Sequence, residues 1–351
     1  MVACAGSLSS HGSKFFPIRS PFGQVVIQRM LIPGAYRFVV PGDPAVSRLD
    51  LFLAGALEGV SRGTIRRLIE LGGVHVDGRR LRRCSLPVAA GQRIELFVDG
   101  LPLEPFQFDP AMVLYHDRYL LALSKVAGVA TQPTPARFQG TLYAALLQFL
   151  GSSGQVSLGM VQRLDRDTSG VMVFSIHPRA HKGLTTAFAE RRVTKHYLAL
   201  VSGRLPCAAG EFQSQLARRR STNRMVSVEH GGKPAITRYR AIASTDESSL
   251  VEVEIPTGRS HQIRIHFAEA GHPLLGDTAY GGPVAVAGMA IPRQMLHASE
   301  LSFEHPVTGL LLELHSPLPE DFRKVMAALD MAPELLLKGR TSCGAHEASR
   351  S

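Results

Sequence analysis

No uninterrupted hydrophobic stretch in these 351 residues reaches the length of about 18 that a membrane span requires, so a membrane role is not expected. Cysteine is scarce. Cys4, Cys84, Cys207 and Cys343 lie far apart, with neither metal-site spacing nor the density of a disulfide scaffold, and are expected to be free thiols in a reducing compartment. There is no P-loop and no dinucleotide fingerprint, which leaves chemistry without nucleotide or nicotinamide. His261, His266 and His272 cluster, yet no His-Glu-x-x-His motif or Cys pair accompanies them. Zinc is therefore not expected, and His266 reads as a packed core histidine. Acid is absent from the first 42 residues, Asp43 being the earliest. Residues 1–37, rich in Ser, Gly and basic residues, are expected to be a disordered extension, with a vague likeness to an organelle transit peptide and Met30 as an alternative start.

The chain does have length and positive charge. Its size suits two domains, and an apolar content of 45% against 19% charged residues describes a globular protein with a sizeable core. A formal net charge of +10 favours a polyanionic partner such as nucleic acid.

Residues 38–100 read as a compact basic module. A helix is expected from Val46 to Leu57 and a second from Ser61 to Leu71, where Ser61 serves as N-cap, Gly72 as left-handed C-cap residue, and Ile65, Leu68 and Ile69 form the apolar stripe. Arg62 and Arg66 share the other face. Val74 and Val76 then alternate into an Asp77-Gly78 turn backed by Arg79, Arg80, Arg82 and Arg83. Four cations there suit phosphate contacts or, equally, a solvated basic face.

A Pro-containing stretch at residues 101–112 reads as a linker, after which strands and amphipathic helices alternate through 113–330, with an unpacked tail at 331–351. In the run from Gly159 to Gly170, Asp165 stands between Arg163 and Arg166, whose charges favour its anionic form. That is the setting of an ionised nucleophile or, read plainly, a surface turn with chance salt bridges. The loop is anchored by an apolar strand over Val171 to Phe174 and a helix opening at Pro178 with Ala180, Leu184, Ala187 and Phe188 on one stripe. Ser169 as a nucleophile lacks an identifiable triad. Tyr197 shares a strand face with Lys195; it fits either a core position or an aromatic platform beside a cation for a splayed base. A helix carrying Ile263, His266, Phe267 and Ala270 on its buried stripe would project Arg264 away from it.

Two resemblances gather these pieces. Arg48-Leu49-Asp50, Ser61-Arg62, Leu68-Ile69-Glu70, Gly73 to Arg79 and Gly91-Gln92-Arg93-Ile94 resemble the RNA-binding module named after ribosomal protein S4. That likeness implies two helices and a hairpin gripping structured RNA by its backbone. Lys125-Val126-Ala127-Gly128, Arg163 to Gly170, Lys195 to Ala199, Gly258 to His266 and Leu296-His297-Ala298 look like the RluA-type pseudouridine synthases in order and spacing, over about Val113 to Leu318. The resemblance implies an α+β fold: a mixed, largely antiparallel catalytic sheet around a central cleft, preceded by a small α/β RNA-binding domain. It also implies Asp165 as catalytic aspartate, Tyr197 as the ring against which the target uracil stacks, Arg264 as partner of the Asp165 carboxylate, and Arg163 as a grip on the backbone beside the flipped nucleotide. Two departures stand out: Gln162 where the family usually has His, and Val126 where it usually has Pro.

The expected function is isomerisation of uridine to pseudouridine by one carboxylate, in large-subunit ribosomal RNA before transfer RNA, in the cytoplasm, by a monomer without metal or cofactor. RNA contacts are expected from Arg62, Arg66, Arg79, Arg80, Arg163 and Lys195. A non-catalytic RNA-binding or ribosome-assembly factor on the same fold is the alternative, and a nucleosidase-like hydrolase using Asp165 a third reading.

Overall fold

The computed structural model describes residues 15–19, 25–29, 31–42, 48–152, 154, 157–219 and 224–331. They form two compact units, one running to Gln107 and including Gln132–Leu146, the other made of Phe108–Thr131 and the described residues from Leu147 onward.

In the first unit β1 (Phe15–Arg19) pairs antiparallel with β2 (Val25–Arg29), and β3 (Gly34–Val39) pairs with β6 (Arg93–Val98). The disorder expected across residues 1–37 is thus corrected for these segments. Their β-branched and aromatic residues favour extended backbone, a local signal that the Ser- and Gly-rich composition around them hides. Between β3 and β6 come α1 (Leu49–Ala56), α2 (Arg62–Leu71), β4 (Val74–Val76) and β5 (Arg79–Leu81). Residues 46 and 47 of the expected first helix lie outside the described residues, as does the expected tail beyond 331. The punctuation of α2 follows its sequence: Ser61 Oγ accepts from Thr64 N at 3.1 Å, and Gly72, at φ 92°, donates its amide to Ile69 O at 2.9 Å. Asp77 (φ 49°) and Gly78 (φ 77°) both take the left-handed conformation of a type I′ hairpin turn.

The four strands are ordered β3-β6-β4-β5, and Leu49, Leu53, Ile65, Ile69, Ile94 and Leu96 bury completely between this sheet and the helices. Each such side chain contributes roughly 1.5–3 kcal/mol relative to exposure. Gln132–Leu146, placed by sequence inside the expected 113–330 domain, packs with this unit. The amides of Phe138 and Gln139 both donate to Leu71 O, at 2.6 and 3.0 Å, filling an acceptor at the open end of α2. Arg137 clamps Asp99 through two bonds of 2.8 and 3.0 Å.

The second unit is built on one large sheet. Its elements are β7 (Val113–His116), β8 (Leu120–Lys125), α3 (Leu142–Ser152, which starts before the unit's second segment), β9 (Gly159–Met160), β10 (Ser169–Ser175), α4 (Pro178–Ala189), β11 (Val193–Ser202), β12 (Ala209–Arg219), β13 (Arg224–Val228), β14 (Lys233–Ser244), β15 (Ser248–Glu254), α5 (Gln262–Glu269), β16 (Ala285–Val286), β17 (Met289–Ala290), β18 (Leu296–Glu304), β19 (Leu311–His315) and α6 (Glu320–Ala328). The sheet runs β13-β12-β14-β15-β11-β18-β10-β8-β7, with β19 added on β18 and β9 on β10. Pairing is antiparallel except where β10 meets β18 in parallel, Ser169 opposite His297 and Gly170 opposite Ala298. Gly170 sits there at φ 123°, and a Cβ on it would strike the Ala298 backbone, so this close crossing admits only glycine. Every residue of β10 is buried, which fixes the strand that follows Asp165. On the other side Phe322, Val325 and Met326 of α6 pack on Leu198, Leu200 and Leu250. The result is the expected α+β architecture, and among the described residues no helix is long and apolar enough to cross a membrane.

Candidate active site

Asp165 lies in the loop between β9 and β10, and each backbone carbonyl from Leu164 to Thr168 has a donor. Thr131 Oγ1 donates to Leu164 O at 2.8 Å, Thr168 N to Asp165 O at 3.1 Å, and Arg293 Nη1 to Asp167 O at 3.0 Å. Lys125 Nζ donates to Arg166 O at 2.8 Å, Thr168 O at 2.9 Å and Val126 O at 2.9 Å, using all three ammonium hydrogens. Lys125 is fully buried at the end of β8, and burial lowers its pKa to about 7, opposed by the nearby Asp167 carboxylate. Arg293 is itself held by Asp321 at 2.6 and 3.0 Å. Two buried cations therefore grip the loop by its carbonyls and leave the Asp165 side chain, 26% exposed, facing outward. The sequence reading noted Lys125 only within a resemblance and missed Arg293.

The carboxylate's partner comes from α5. Arg264 Nη1 donates to Asp165 Oδ2 at 2.8 Å, while its Nε and Nη2 hold Asp277 at 2.6 and 2.8 Å. Side-chain exposures of 8% for Arg264 and 1% for Asp277 make this a desolvated pair, with Asp277 aiming the guanidinium at Asp165. The neighbours that the sequence put beside Asp165 go elsewhere: Arg166 pairs with Asp167 at 2.8 Å, and Arg163 donates to Ser260 Oγ at 2.8 Å. The cation bonded to Asp165 is Arg264, the partner that the family resemblance implied, supplied by a helix 99 positions later.

The expected amphipathic helix is also corrected. Gln262 through Phe267 are all buried, so each polar group of α5 has its own partner. Gln262 bonds Thr257, Thr237 and Ile236 O; His266 bonds Thr237 and Ser214. His266 is thus a core histidine with both ring nitrogens satisfied. His272 turns to Ser202 O at 2.9 Å.

Tyr197, on β11, is 8% exposed. Burial foremost, then the Asp165 charge, raises its hydroxyl pKa well above the usual tyrosine range, so it stays protonated and close enough to Asp165 to feel that charge. Lys195, one side-chain period away, is pushed to a lower pKa by burial and by Arg191 and Arg259. His261 caps α5 in a left-handed conformation, φ 56°, that a non-glycine residue adopts only under constraint. Its Nε2 lies 3.8 Å from Asp165 Oδ1, and its Nδ1 is 2.7 Å from the Tyr280 hydroxyl. Asp277 and Tyr280 were not singled out from the sequence, though the Gly-bounded turn Gly276 to Gly282 carries the same mixture of acid, hydroxyl and glycine as the Asp165 loop. Gln162, the residue in place of the family's usual His, has its Nε2 buried with no hydrogen-bond partner.

The remaining basic candidates divide. Arg66 and Arg79 are exposed. Arg62 pairs with the fully buried Asp50 at 2.9 Å, alongside Arg48. Arg80 turns inward, donating to Thr134 O, and burial lowers its pKa. Arg82 instead lies over the Phe138 ring, 4.6 Å from its centroid. Of the four hairpin cations Arg79, Arg82 and Arg83 are exposed, while Arg80 is spent inside the unit.

Known proteins resemble this chain over most of its length. The profile of the RNA pseudouridylate synthase family matches residues 119–269, and that of the S4 domain residues 47–94. A Chloroflexus aurantiacus protein described as an uncharacterized RNA pseudouridine synthase is 38% identical over 296 residues, 83% of this chain and 92% of its own length. Ribosomal large subunit pseudouridine synthase D of Haemophilus ducreyi is 35% identical, over 80% of this chain and 90% of its own. Among solved structures, human RNA pseudouridylate synthase domain containing 4 aligns with a TM-score of 0.54 at 25% identity, covering 63% of this chain and 93% of its own.

Proposed function

The chain belongs to the RNA pseudouridine synthase family and is an isomerase with an S4 domain, and from that premise we propose that it isomerises specific uridines of large-subunit ribosomal RNA with Asp165 as its single catalytic carboxylate. The substrate assignment is supported by similarity to ribosomal large subunit pseudouridine synthase D from several bacteria. Transfer RNA is the second choice.

The observation that carries the role of Asp165 is its partly open carboxylate, with one oxygen bonded to the desolvated Arg264 and the other directed into the space beside His261. Pseudouridine formation breaks the bond between N1 of uracil and C1′ of ribose, turns the base, and joins C5 to C1′. Atoms are conserved, so no redox partner or group donor is needed. A carboxylate held in one orientation suits attack on the sugar or its stabilisation, as at glycosidic centres, or action on the base. The target base leaves its stack at a cost of a few kcal/mol, which stacking on an aromatic such as Tyr197, at about 1–3 kcal/mol, offsets together with backbone contacts. Arg163 and Lys195 border the site, and the exposed Arg66 and Arg79 of the S4 unit suit phosphates; the grip is assigned to the first unit and the chemistry to the second. A cytoplasmic location is part of the same proposal.

The test is tritium release from RNA containing uridine labelled at carbon five. The wild type releases tritium and Asp165→Asn does not. Binding without release in the wild type points to an assembly factor, and free uracil to a hydrolase.

A further inference from the structure

Isomerisation ends on a proton transfer. Once C5 is joined to C1′, it still bears its hydrogen. The C5–H bond must break, its electron pair restoring the C5=C6 double bond while the C6=N1 pair moves onto N1, which takes a proton from water. The proton from C5 needs a base within reach of that carbon.

The side chains around Asp165 narrow the choice. Arg264 has its guanidinium committed to Asp165 and Asp277. Lys125, despite its lowered pKa, is fully buried and turned to three loop carbonyls, away from solvent. The buried Tyr197 hydroxyl holds its proton. His261 is different. The Tyr280 hydroxyl donates to Met225 O at 3.3 Å, so its oxygen is free to accept Nδ1–H of His261 at 2.7 Å, and that tautomer leaves Nε2 with a free lone pair, 3.8 Å from Asp165 Oδ1. The 3.8 Å gap is too long for a direct hydrogen bond, and the imidazole is 35% exposed, so a nucleotide reached by Asp165 also lies within reach of Nε2. The strained backbone at φ 56° is what turns this side chain back over the site from the start of α5.

Resting on the Asp165-centred reading above, we propose that His261 Nε2 takes the C5 proton of the rearranged base, with Tyr280 fixing the tautomer. The groups facing the imidazole are Asp165, Arg264, Asp277, Arg218 and Tyr280; burial, reinforced by the two arginines, lowers its pKa against the pull of the two carboxylates. The imidazole is therefore neutral, and competent as a base, down to pH values below the ordinary histidine range near 6.5.

The experiment compares wild type, His261→Gln, His261→Asn and Asp165→Asn on in vitro transcribed large-subunit and transfer RNA carrying uridine tritiated at carbon five. Asparagine accepts left-handed backbone readily, so His261→Asn keeps the α5 start even where glutamine strains it. Both His261 variants are expected to lose about 100-fold or more in kcat, with KM within about threefold, to lose the acid limb of the wild-type pH profile, and in rapid quench to accumulate RNA with the base cleaved from N1 but tritium retained. His261 variants within threefold of wild-type kcat, an unchanged acid limb, or a change confined to KM overturn the proposal. If Asp165→Asn keeps wild-type activity, the site assignment itself fails, whatever His261 does.

Discussion

Replacing Asp277 by asparagine removes a charge that never touches RNA in this arrangement, yet it should damage both stability and catalysis. Asp277 is 1% exposed and meets Arg264 through two bonds of 2.6 and 2.8 Å. Charge-assisted hydrogen bonds contribute about 1.5–3 kcal/mol each. Two charges about 4 Å apart at an effective dielectric of 20 attract by about 4 kcal/mol. Both routes agree with the roughly 3–5 kcal/mol lost when one member of a buried pair is removed. At about 2–4 °C per kcal/mol for a domain of 150–250 residues, Asp277→Asn should lower the melting temperature by about 10 °C. The same change frees Arg264 to rotate away from Asp165. Displacement of a catalytic partner by about 1 Å costs on the order of 100-fold in rate, so kcat should fall by about that factor in the folded variant while RNA affinity changes little. Thermal denaturation and tritium release at a temperature where circular dichroism shows the variant folded provide the two readouts. A variant melting within about 2 °C of wild type and turning over at an unchanged rate would refute the view that Asp277 aims Arg264.

Two other outcomes follow from the same structure. His297 is buried, donating from Nε2 to Ser316 O at 3.1 Å and accepting at Nδ1 from Ser169 Oγ at 2.9 Å, and burial lowers its pKa to about 4. Its folded value lies below the unfolded value near 6.5, so the associated stability is complete above pH 6.5 and is lost as pH falls toward 4, by about 3 kcal/mol in all. Urea denaturation between pH 4 and 7.5 should show this slope in the wild type and a shallower one in His297→Gln; equal slopes would remove His297 as the cause. In the S4 unit, Arg79→Ala should weaken RNA binding and reduce the salt slope by about one, whereas an unchanged slope in filter binding would take Arg79 off the phosphate path.

Local chemistry made much of the molecule legible before any fold was known. Ser61 and Gly72 bound α2 because a hydroxyl cap and a left-handed glycine act within a few residues, and Asp77-Gly78 sets its hairpin for the same reason. The α4 stripe at Ala180, Leu184 and Ala187 is buried as its helical period requires. What escaped was assembled across distance. β3 was hidden by the composition around it, and Gln132–Leu146 joins the first unit through the carbonyl of Leu71, a partner that no periodicity announces.

The sequence by itself determined that an acid stands in a Gly-bounded loop before a buried strand, that cationic helix and hairpin residues precede it, and that the family's blocks occur in order. The family resemblance named Arg264 as partner of that acid, and only the tertiary structure shows how it gets there and where the nearer arginines go. Arg163 and Arg166 are its chain neighbours, but the loop sends them to Ser260 and Asp167, and Arg264 arrives from α5 under the hold of Asp277. Charge attraction depends on distance in space, and only packing of the buried α5, with every polar group on it obliged to find a partner, sets that distance.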